Sequence, residues 1–275
     1  MDHLSRAVIR YDHTDAGRLS AALTYYAFFA TFALALLGFA VLGHVLDNPI
    51  ALATVEDYLT DNFPRLDVQA LRDARGTASV VASVGLTLAG LFWMDTLRSA
   101  SRAIWRLPQY PGGFWLRQLI DLGVLLGLGL LLGASLALSF GAQTLLTWLA
   151  VQTVGVEATP ARWILSAAAF ALGLGVNFLL AIALLCAPPR LRLPLRRTLG
   201  PALFITVGLE VLKSIGQFFL NITVSNPAYQ VVAGAVGMLV FLKVVNQLIL
   251  FATAIAATSN HGTVSDLAAN GRLLE

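Results

Sequence analysis

Charged side chains are scarce in this 275-residue chain: they make up 12% of it, about half the share of an average globular protein. Hydrophobic residues make up 57%, and the mean hydropathy is +0.76. So little polar surface excludes a water-exposed globule of 29.3 kDa. It also excludes a disordered chain, which needs much charge and few apolar residues. Cysteine is nearly absent, and the lone Cys186 excludes both a disulfide framework and a cysteine zinc site. Lysine is rare as well: of 18 basic residues only Lys213 and Lys243 are lysines, a bias that suits a GC-rich bacterial coding sequence. The four histidines, His3, His13, His44 and His261, have no ligand or triad partner at a recognisable spacing. No glycine-rich phosphate loop follows a strand. No enzyme activity, metal or cofactor is therefore expected. The isoelectric point near 9.3 comes from arginines flanking apolar runs rather than from a basic, aromatic-studded patch, so nucleic acid is not an expected partner.

Long runs without Asp, Glu, Lys or Arg are what the chain does have. They cover 19–46, 76–94, 122–156 and 163–189. Two further apolar segments, about 199–220 and 231–258, are interrupted only by Glu210, Lys213 and Lys243. A helix crosses a hydrocarbon core of about 30 Å with roughly 20 apolar residues. The pattern predicts an all-α, polytopic membrane protein: a bundle of six transmembrane helices with short amphipathic interfacial helices. The run 122–156 is too long for one crossing and short for two. Arg98, Arg102, Arg106 and Arg117 precede it, Arg190, Arg192, Arg196 and Arg197 follow the next run, and no acid lies within either cluster. A single crossing, about 122–142, keeps both clusters on one side, as the positive-inside rule requires, and leaves the tail of the run near the outer interface beside Trp148.

Three parts follow: a cytoplasmic N-terminal segment 1–18, a six-span domain 19–258 with an acidic outer loop 47–77, and a cytoplasmic tail 259–275. Within the outer loop, Ile50, Val55, Leu59 and Phe63 recur near helical spacing, which predicts an amphipathic helix. No cleavable leader is expected, because the first apolar run is too long for one. The protein is expected in the bacterial inner membrane, multi-pass, with both termini in the cytoplasm. Membrane lipids are its expected partners, an envelope amphiphile is the candidate cargo, and room is left for an oligomer.

Two sets of residues stand out as candidate sites. Arg98, Arg102 and Arg106 recur at four-residue steps, a basic stripe that either sets topology or collects anionic lipid headgroups. Asp95 and Asp121 flank that stripe and are expected to pair with its arginines rather than bind metal. The second set lies at bilayer depth, where charge is costly and marks a function or a buried pair. Thr206, Glu210, Ser214, Gln217 and Asn221 follow one helical face, with Lys213 beside it. Lys243, Asn246 and Gln247 lie in the last span and Asn177 in the fourth. An ion pair between Glu210 and Lys243 is predicted, with Lys213 as competitor or third member. It serves either as an interhelical clamp or as the lining of a polar cavity for a charged headgroup or a proton-coupled carboxylate.

Several segments carry a resemblance. LSAALTYYAFFATFALALLGFAVLG, GLFWMDTLRSASRAIW, FWLRQLIDLGVLLGLGLLL, LEVLKSIGQFF and SNPAYQVVAGAVGMLVFLKVVNQLILF, in that order, resemble the spans of the YihY/BrkB family of bacterial inner-membrane proteins. The resemblance runs from about residue 10 to residue 258. It implies six spans with both termini inside. It also implies an association with virulence and serum resistance, and a role in envelope lipid transport of the kind proposed for relatives. The ribonuclease label once given to some members is regarded as mistaken, and this chain offers no catalytic cluster to support it. Two positions depart from the family pattern: Ala33 stands after Phe32 where proline is common, and Gln230 follows Tyr229 where glycine is frequent.

Overall fold

In the computed structural model, residues 2–45, 68–131, 160–223, 227–269 and 272–274 are described, with side chains within 2–34, 79–131, 167, 170–216 and 234–269. A short helix, α1 (His3–His13), leads through Thr14 and Asp15 into α2 (Ala16–Val45). Then come α3 (Val68–Ile104), α4 (Phe114–Leu131), α5 (Pro160–Cys186), α6 (Leu195–Thr223) and α7 (Pro227–Thr258). Helices α5 and α7 open on proline, whose missing N–H is no loss in a first helical turn. Ala33 lies inside α2, which continues through it without a break.

Among the described residues four stretches are long and apolar enough to cross a membrane: Ser79–Ile104, Phe114–Leu131, Leu195–Gly216 and Gly234–Thr258. Phe170–Cys186 is a shorter apolar stretch. Leu126, Leu130, Leu172, Val207, Val211 and Val240 are uncovered by protein, which is costly in water and neutral against acyl chains. The outer-loop helix expected around Ile50 to Phe63, and Trp148, lie outside the described residues.

The chain divides into two compact units. One is Thr24–Trp93, the apolar parts of α2 and α3. Its aromatic side chains stack edge to face, Phe28 on Phe32 and Tyr25 on Phe29, while Tyr26 meets Phe92 across the two helices. Gly85 faces Ala33, the small pair that lets these helices approach.

The other unit holds residues 1–23 and 94–275. Ala181, Leu185, Ala202, Ile205 and Ala252 join α5, α6 and α7 in one apolar core. Gly208 packs under Leu248 and Gly216 against Phe241, so α6 and α7 run antiparallel in close contact. The all-α expectation is corrected at one end of this unit. β1 (Leu191–Arg192), β2 (Val264–Asp266) and β3 (Arg272–Leu274) form a three-stranded antiparallel sheet in that order, pairing Leu191 with Asp266 and Val264 with Leu274. The tail is therefore folded in: Val264 packs with Trp105, Leu191 and Ala256. Strands of two or three residues are too short to show an alternation in sequence.

Candidate functional site

Two polar regions lie in the second unit. In α6, Glu210 stands 13 residues beyond Arg197, about 20 Å along the helix, inside a stretch whose only other charged residue past Arg197 is Lys213. Its Oε1 accepts from Lys213 Nζ at 2.8 Å and from Asn177 Nδ2 at 2.9 Å. The second bond ties α5 to α6. Ser214 turns its hydroxyl back to the Glu210 carbonyl, and Thr206, buried, does the same to Ala202. The cluster is not sealed, the Glu210 side chain being 29% and that of Lys213 49% exposed.

The predicted Glu210–Lys243 pair does not form. Gly208 against Leu248 and Gly216 against Phe241 set the register of α6 and α7. That register places Glu210 level with Asn246 and Gln247, and Lys243 level with Lys213. Lys243 is exposed, whereas Lys213 sits one turn from Glu210 on the same helix and reaches it. Asn246 is buried and donates to the Leu242 carbonyl. The Gln217 side chain lies outside the described residues.

The second region is the arginine-rich end, where the two arginine clusters meet. Arg98 is fully buried and paired with both Asp95 and Asp121. Arg190 donates to Asp121 Oδ1 at 2.8 Å and to the Arg117 carbonyl at 3.0 Å. Arg102, 1% exposed, grips Asp266 with two nitrogens, at 3.1 and 2.7 Å, and also bonds the carbonyls of Pro108 and Pro189. Asp95 and Asp121 thus pair with the stripe as expected. Arg98 and Arg102 face carboxylates in the interior rather than headgroups, and Arg106 alone of the three is exposed.

Basic groups also cap helix ends here. The last carbonyls of a helix lack internal partners and carry the negative end of its dipole. Arg197 bonds the carbonyls of Ala256 and Ala257 at the end of α7 and lies over the Trp105 ring. His3 reaches the Ile255 carbonyl, and Arg10 the Ile104 carbonyl that ends α3. Burial draws the Arg190 pKa down, helped by the charges of Arg102 and Arg117. Burial pushes the Asp266 carboxyl up, but bonds from Arg102 and the Ala268 N–H, with the charges of Arg102 and Arg190, carry it below its ordinary value.

Sequence reasoning missed Asp266 and Trp105 as members of this end, and the bonds by which Arg10 and Arg197 cap helix ends. The one available signal was an acid between Val264 and Leu267 in a segment read only as a cytoplasmic tail. Helix α1 was also missed, although Leu4, Ala7, Val8 and Tyr11 keep helical spacing. Among the described residues no three His, Cys, Asp or Glu side chains converge to hold a metal ion.

The sequence pattern of the family described as virulence factor BrkB matches residues 7–272, and the chain belongs to that family. Family membership and its apolar helices make it an integral, multi-pass membrane protein. No curated protein and no solved structure matches it.

Proposed function

We propose that this BrkB-family membrane protein crosses the bacterial inner membrane six times, with both termini in the cytoplasm, and moves an envelope lipid or similar amphiphile. The observation that carries the reading is the half-open cluster of Glu210, Lys213 and Asn177 within apolar helices. A charged pair at such a depth is costly unless it serves packing or passage. Packing alone is served best by full enclosure, which this pair lacks. A carboxylate beside an ammonium and an amide offers a passing headgroup both a donor and an acceptor. Protein in proteoliposomes should accelerate flipping of a labelled phospholipid, and Glu210→Gln should slow it at least tenfold. Equal rates for the two proteins would sink the proposal.

The Asn177 to Glu210 bond also favours a second reading, a membrane scaffold in which the cluster clamps α5 to α6. A scaffold predicts no flipping by the wild type and a loss of stability in Asn177→Leu.

A further inference from the structure

We infer that Arg6, Arg10 and Arg106 form a binding site for a phosphate group at the membrane surface. Arg98, Arg102 and Arg190 are each neutralised by an aspartate. Among the described residues Arg6, Arg10 and Arg106 have no carboxylate within ion-pair distance. Arg6 and Arg10 are one turn apart on α1 and share a face. The Arg10 bond to the Ile104 carbonyl, 2.9 Å, brings that face to the end of α3, two residues before Arg106. Burial, and after it the charge of Arg106, draws the Arg10 pKa down. The Arg6 Nε is buried and finds no hydrogen-bond partner. Arginines brought together without a counter-charge repel one another and call for an anion, and a forked guanidinium fits phosphate oxygens.

The backbone at Arg106 points the same way. Its N–H bonds the Ala103 carbonyl and the Leu107 N–H bonds that of Arg102, closing α3 with Arg106 at φ 58°. Glycine is the usual residue in that position. Arg190 shares this conformation but holds Asp121 in return, whereas Arg106 makes no ion pair with a described residue.

Membrane depth follows from the rest of α1. Leu4, Val8 and Ile9 are uncovered, and α1 leads within two residues into α2. An amphipathic helix with this apolar surface lies at the headgroup boundary, its arginines level with lipid phosphates. The shared chemistry is a phosphate mono- or dianion, from a lipid headgroup or free in solution. The inference requires no passage of lipid and stands apart from the transport reading.

The test uses the full chain in neutral detergent, with thermal shift read against phosphatidylglycerol, phosphatidylcholine and inorganic phosphate. Phosphatidylglycerol should stabilise the wild type more than phosphatidylcholine does. Arg106→Gly and Arg6→Gln should each weaken that apparent affinity about fivefold, and together more. Arg196→Gln, which removes an exposed arginine of α6, should leave it unchanged. Glycine suits φ 58°, so the Arg106→Gly fold is preserved and the variant tests the site even if Arg6→Gln fails to fold. Inorganic phosphate that stabilises the wild type but not Arg106→Gly supports the site with free phosphate as its ligand. Equal anion affinity in wild type and Arg106→Gly, or an equal loss in Arg196→Gln, overturns the inference.

Discussion

Arg102 and Asp266 are 164 positions apart in the chain and meet as a two-pronged, buried ion pair that fastens the tail to the end of α3. Removing one member of such a pair strands the other charge in the interior, which costs about 3–5 kcal/mol. Asp266→Asn should therefore lower the unfolding temperature sharply in detergent. The apolar double variant Arg102→Met with Asp266→Leu should recover much of the loss. A double variant as unstable as Asp266→Asn would count against the pair as the cause.

Acid should weaken the same contact. The Asp266 carboxyl titrates below its ordinary value of 3.8, so its contribution is fully present above that value and is lost as pH falls through the lowered one. Stability of wild type and Asp266→Asn, compared between pH 7 and pH 3, should differ most at neutral pH and converge on acidification.

Arg106 and Arg190 share a left-handed backbone and should respond oppositely to glycine. Arg106→Gly relieves backbone strain and should stabilise the protein by about 1 kcal/mol when no anion is bound. Arg190→Gly relieves the same strain but strips Asp121 of a buried partner, and should destabilise. Thermal unfolding of the two variants side by side decides it.

Close approach makes two glycines sensitive. A Cβ on Gly208 would come within 2.9 Å of Leu248, so Gly208→Val should cost about 1–3 kcal/mol by forcing α6 and α7 apart, while Gly208→Ala is absorbed by a rotation of Leu248. Gly262 has φ 76°, and a Cβ there would come within 2.9 Å of Pro194. Gly262→Ala should cost more than about 1 kcal/mol.

In the polar cluster, Lys243→Gln should leave stability within about 0.5 kcal/mol of wild type, since Lys243 is exposed and not a partner of Glu210. Asn177→Leu removes a bond from a partly buried carboxylate oxygen and should cost about 1 kcal/mol. Equal effects from both variants would mean that Glu210 is held by Lys243 after all.

Among the described residues, helices stand where the apolar runs predicted them, because a chain with this little charge must satisfy its backbone within each segment once it enters lipid. The polar face of α6 was equally legible, since Thr206, Glu210 and Ser214 recur at helical spacing. Lys213 reaches Glu210 by helical geometry alone, a local relation that periodicity contains. Pairings across elements are another matter. Lys243 rather than Lys213 was expected opposite Glu210 because mid-helix position approximates depth, but the contacts of Gly208 and Gly216 set the actual register. The arginines announced a side of the membrane, yet whether each faced lipid, a helix end or an aspartate depended on where Asp121, Asp266 and the carbonyls of α3 and α7 arrived. Hydropathy and helical period act over a few residues and are written in local sequence. Ion pairs between residues as distant as Arg102 and Asp266 depend on how helices pack, and packing is a property of the folded chain.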